Sequence, residues 1–106
     1  MTFQAYLKQH GISPATYLKL AHHRARAAGH YDPAKLHFAT DSTHKLKYDG
    51  VAFGAAGYKD FILYTLLDGH AVANAKRSNY RKRAVDVMRA THSPYSAASL
   101  AYNILW

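Results

Sequence analysis

The chain has 106 residues and 14 Lys plus Arg against 6 acids, every one of them Asp, with no Cys. One small domain fits this length, burying roughly two-thirds of its unfolded surface; disulfide frameworks, thiolate nucleophiles and Cys-containing zinc sites are excluded. A formal charge of +8 with His neutral points to an anionic partner, whether nucleic acid, an acidic protein surface or anionic lipid, and the missing Glu weakens most enzyme readings.

Alanine is abundant and β-branched residues are scattered, so propensity predicts a mainly α fold, a single small domain of about five short helices. Thr2 can cap a helix over 3–9, with Met1 and Tyr6 as a hydrophobic staple and Gly11 after it. Ser13 followed by Pro14 starts a second helix, with Ile12 and Tyr17 at staple spacing and Gly29 closing it after Ala28. Asp32-Pro33 opens a short turn or helix carrying Leu36 and Phe38. A polar loop over 40–50 follows, with a brief extended piece at 45–48, and a short two-stranded hairpin is expected near 37–53. Val51 to Gly57 reads as a flexible lead into a third helix over 58–67, apolar on most sides and therefore central.

Asp68-Gly69 breaks the chain. Residues 71–91 then form the longest helix, with Tyr80, Ala84, Val87 and Met88 as its buried stripe. Ser93-Pro94 or Ser96 opens a last helix in which Tyr95, Ala98, Tyr102 and Leu105 share one side, and its apolar end should pack down rather than fray. The organisation is thus a basic helical domain over 1–106: a helical pair over 2–28, the polar loop, and a helical part over 57–106. No apolar run reaches the roughly 18 residues that span a bilayer, and no secretory signal precedes the first helix, so a soluble chain starting at Met1 with no membrane span is expected.

Two basic clusters carry the candidate chemistry. In the second helix Lys19, His22, His23, Arg26 and His30 fall at i, i+3, i+4, i+7 and i+11, a stripe whose charge rises as histidines protonate near about pH 6.5. In the long helix Lys76, Arg77, Arg81, Lys82, Arg83 and Arg89 accompany a lone acid, Asp86. These six wrap around more than half the helix, so not all can face one partner. Both clusters suit phosphates or an acidic groove, and the plainer reading of each is a solvated basic face. No spacing matches a zinc finger, a basic zipper or an RNA-recognition strand.

Other constellations are weaker. His22 and His23 point about 100 degrees apart and lack a His partner at i+4, and His37 with His44 lie in irregular chain, so no metal or other cofactor is expected. Asp60 beside Lys59 and Asp68 before His70 lack a nucleophile at diagnostic spacing; no catalytic residue is assigned and no small-molecule substrate is expected. Phe53 to Tyr58 superficially suggests a phosphate loop but lacks the Gly-Lys-Ser/Thr ending. Its glycines are better read as letting backbone pass close to packed aromatics.

The segments Lys45-Leu46-Lys47-Tyr48-Asp49-Gly50, Phe53 through Ile62, Asn79-Tyr80-Arg81-Lys82-Arg83, and Tyr95-Ser96 through Asn103-Ile104-Leu105-Trp106 resemble a group of small basic proteins encoded by large DNA viruses of algae and protists. The similarity runs in order from about Tyr17 to Trp106; where this chain has Ala97, members of the group place Pro. The resemblance implies a viral setting and a virion role, and it carries no catalytic residues with it. Together with the charge, it leads to the expectation of a non-enzymatic minor capsid or core component. Its partners would be capsid or core proteins or double-stranded DNA, and its location the virion, with the host cytoplasm or nucleus during assembly. The alternative is a free nucleic-acid-binding protein of viral replication or transcription. Charge distribution separates the two: a continuous cationic strip favours nucleic acid, dispersed cations favour protein contacts.

Overall fold

Local capping decides where the helices of this structure, a computed structural model describing residues 2–90 and 93–106, begin and end. The Thr2 hydroxyl accepts the Ala5 N–H at 3.2 Å and starts α1 (Phe3–Gln9). The proposed staple partner Met1 lies outside the described residues. Pro14 occupies the first turn of α2 (Pro14–Ala28), and Gly29, left-handed at φ 83°, ends it; Ser13 makes no side-chain cap, so proline rather than the hydroxyl sets this start. Asp60 caps α3 (Phe61–Asp68) through the Leu63 N–H at 2.8 Å. The helix therefore begins later than expected, and Tyr58, 75% exposed, stands outside it. Only Ile62 and Leu63 of α3 are fully buried, so it borders the core instead of filling its centre.

Between α2 and α3 the chain forms three antiparallel strands in the order β1-β2-β3, not a two-stranded hairpin. A 3-10 turn (Pro33–Lys35), capped by Asp32, leads into β1 (Leu36–Phe38), which pairs with β2 (His44–Tyr48) through Leu36 opposite Tyr48. The stretch expected to be a flexible lead is β3 (Val51–Ala55), paired with β2 through Tyr48 opposite Val51 and Leu46 opposite Phe53. Asp49 and Gly50, at φ 44° and 88°, close this hairpin in two residues, a backbone that Asp-Gly adopts readily. The sheet lays Leu36, Leu46 and Phe53 into one core with Phe3, Leu7, Tyr17, Ala21, Ala25, Leu100 and Ile104. Burying each large apolar side chain of this kind stabilises the fold by about 1.5–3 kcal/mol.

The longest helix, α4 (His70–Ala90), packs mainly on α3 and buries only Ala73 completely. Tyr80, Ala84 and Met88 are half-buried, but Val87, expected in the stripe, is 60% exposed. Ser96 caps α5 (Ala97–Leu100) through the Ser99 N–H, and the chain then widens into a π turn (Ala101–Leu105). The extra residue in that turn rotates the face: Ser99, Leu100, Ile104 and Leu105 are buried, while Tyr95 is exposed and Ala98 and Tyr102 are half-buried. Gly54, at φ 79°, runs beneath this turn; a Cβ there would lie 2.7 Å from Leu105 Cδ1. Gly54 does make a close approach, but to the aliphatic Leu105 and Lys45 in place of the expected aromatics, and Gly57 makes none.

Candidate polyanion-binding surface

Charge inside the molecule is neutralised first. Lys45 and Asp60, 2% and 1% exposed, pair at 3.0 Å, and Tyr17 of α2 donates its hydroxyl to the same Asp60 oxygen at 2.5 Å. Burial, and after it the Asp60 charge, pushes the Tyr17 phenol well above its ordinary pKa, so it remains a donor. This network fixes α2, β2 and the start of α3 against one another.

The other ion pairs among the described residues join Lys35 to Asp49, His44 to Asp41 and Lys59 to Asp68. None of these, and not the buried pair, uses a cation of α2 or α4. Lys19, Arg26, Lys82 and Arg89 are exposed. The two basic helices therefore present cations that the described carboxylates do not neutralise.

On α4 the six cations sort by helical position around the seam of Ala73, Tyr80 and Ala84. Lys76 and Arg83 flank it on one side, Arg77 and Arg81 on the other, and Lys82 and Arg89 point away. The flanking cations also dock the helix. Lys76 Nζ lies 5.8 Å from the Tyr64 ring, the Arg77 guanidinium 5.1 Å from Phe61 and that of Arg81 4.9 Å from Tyr102. Trp106 stacks on Tyr80 with centroids 4.4 Å apart and planes 10° off parallel. A cleft of about 500 Å³ opens beside this stack, lined by Lys59, Lys76, Arg83, Tyr64, Tyr80 and Trp106 among others.

The α2 stripe is divided by the fold. The half-buried His22 ring bonds the Leu36 carbonyl through Nε2 at 2.9 Å, tying α2 to β1. His30 lies past the Gly29 terminator, so it leaves the helical line, and it borders a small hollow with Met88 and Arg89. His23 turns toward α4, where it lines a second hollow with Arg24, Arg77 and Arg81.

Arg24 is the residue that sequence reasoning missed. It sits three residues after Ala21 and seven after Tyr17, beside the buried line of α2, and an arginine at that spacing is the signal that could have marked it. Its Nε donates to the Ile104 carbonyl at 2.6 Å, satisfying a last-turn acceptor, and its guanidinium lies 4.8 Å from the same Phe61 ring that Arg77 approaches. Burial, followed by repulsion from Arg77 and Arg81, lowers its pKa to about 10. The group stays cationic at neutral pH, but its charge opposes folding below about 10, and that opposition fades as pH rises toward the ordinary value of 12.5.

Among the described residues no group of three or more His, Cys, Asp or Glu could hold a metal ion, and no helix is long and apolar enough to cross a membrane. No protein-family model, curated protein or solved structure matches the chain.

Proposed function

We propose that the protein is a non-enzymatic component of the particle of a large DNA virus, a minor capsid or core protein whose basic helices contact packaged DNA. The observation that carries this reading is the separation of charge described above: the ion pairs use other cations, and Lys19, Arg26 and the six cations of α4 are left without a carboxylate partner among the described residues. Charge of this kind is neutralised by a phosphate backbone with release of counterions. The sequence resemblance to small basic viral proteins supplies the viral setting.

About four phosphate contacts would give a slope of roughly −3 to −4 in log affinity against log salt, a loss of about a hundredfold between 50 and 200 mM. Equilibrium binding to a double-stranded DNA fragment across that range tests the reading, and a salt-independent or absent interaction refutes it. Mass spectrometry of purified particles tests the location. A protein present in infected cells, absent from particles and still binding DNA would instead be the replication or transcription factor of the second reading. The cationic rims beside exposed and half-exposed rings favour that second role to the extent that single strands bind more tightly than duplex.

A further inference from the structure

The hollow between α2, α4 and the π turn gathers three arginines from two helices. It encloses about 280 Å³, and its charged lining consists of Arg24, Arg77 and Arg81 with His23 beside them; no carboxylate lines it. Like charges gathered at one place oppose folding, and an anion held among them relieves that repulsion. The three arginines are also held in place. Arg24 is fixed by its bond to the Ile104 carbonyl, Arg24 and Arg77 lie against one Phe61 ring, and Arg81 lies on Tyr102. Buried Arg81 Nε has no hydrogen-bond partner, an unmet donor of a kind that folded proteins rarely leave.

We infer that this hollow is a binding site for a single phosphate group, a phosphate monoester or the free dianion, gripped by Arg24, Arg77 and Arg81. Planar guanidinium forks match the oxygens of phosphate and can each give two parallel N–H donors, which lysines cannot do. Asn103, whose amide nitrogen donates to the Tyr31 hydroxyl, borders the hollow with its amide oriented by that bond. The depressed basicity of Arg24 and Arg81, caused by burial and then by neighbouring arginines, agrees with a cluster that gains most when an anion enters. The volume, several times a water's share of about 30 Å³, accommodates one phosphate with ordered water. The inference deepens the polyanion reading by naming one site and one chemical group.

The experiment follows thermal unfolding and amide NMR spectra of the full chain during titration with inorganic phosphate, against chloride at equal ionic strength. At about ten times Kd, phosphate should raise Tm by roughly 6 °C, and in the wild-type spectrum the amides around residues 23–28, 77–81 and 103 should shift together. Arg77→Gln and Arg81→Gln should each reduce the Tm response at least threefold. Lys82→Gln, which points away, should keep it, and Arg81→Lys should recover only part of it. If a glutamine variant does not fold, the location of the wild-type shifts decides. No response beyond chloride, or shifts scattered over the surface, overturns the inference.

A 5′-phosphorylated oligonucleotide binding more tightly than its 5′-hydroxyl counterpart would assign the phosphate to a nucleic-acid end, and equal binding would assign it to a free phosphate or small ester. Loss of the phosphate response with DNA binding retained sinks this site alone. A phosphate response without any DNA binding sinks the polyanion reading and leaves the site.

Discussion

The two basic helices are held by opposite means. α2 buries a line of Tyr17, Ala21 and Ala25 and is locked from within, since Tyr17 ends on the buried Asp60. α4 is longer, yet only Ala73 is fully buried, and its flanks rest on rings through Lys76, Arg77 and Arg81 and through the stack of Tyr80 on Trp106. In α2 the exposed cations Lys19 and Arg26 have no part in the anchoring, and only Arg24 joins anchoring to charge. In α4 the same cations do both, so an anion that draws on them also acts on the helix's seat.

The sharpest way to break this contrast is Asp60→Ala, which leaves Lys45 buried without a counter-charge and removes the α3 cap. Urea unfolding should show a loss of about 3–5 kcal/mol, whereas a loss below about 1 kcal/mol would mean that α2 is not locked in this manner. Trp106→Ala should cost less, about 1–3 kcal/mol, because the ring is only half-buried. Hydrogen exchange should then quicken along α4 and stay slow along α2; equal acceleration in both would erase the distinction. On the binding side, paired Lys82→Gln and Arg89→Gln should flatten the DNA salt slope by up to about 2 with little change in stability. The same two-charge change at Lys19 and Arg26 provides the matched measurement for α2.

The smallest effect is local. Hydrogen bonds from the Thr43 hydroxyl first, and then the His44 and Thr43 backbone, hold the exposed Asp41 carboxyl well below the usual carboxylate range. Because its folded pKa is depressed, its contribution is complete above the unfolded value of about 3.9 and disappears as pH falls through the folded one. Amide resonances of Thr43 and His44 should thus move only in strongly acidic solution, while those of both helices stay in place.

Much of the helical framework was legible because caps are short-range chemistry: Thr2, Gly29 and Ser96 act within a few residues of themselves. Asp60 was not legible as the hub of a buried ion pair, since Lys45 is 15 residues away and pairing over that distance leaves no periodic trace. The third strand escaped because β1 spans three residues, too few to show alternation, and β3 contains Gly54. On α4 the apolar stripe was a poor guide, because the helix docks by guanidinium planes that sequence patterning counts as solvent-facing. The basic clusters were visible as composition. Their division was not: it depends on the Leu36 carbonyl capturing His22 and on Arg24 lying opposite Arg77 and Arg81.

The shared carboxylate of Asp60 also bears on how the chain is made. Its partners Tyr17 and Lys45 precede it by 43 and 15 positions. A nascent chain that has emerged only through β2 holds an ammonium group with nothing to be buried against, and a tyrosine hydroxyl without an acceptor. The first half of the domain is therefore expected to wait for Asp60 and then close in one cooperative step, with α4 settling afterwards.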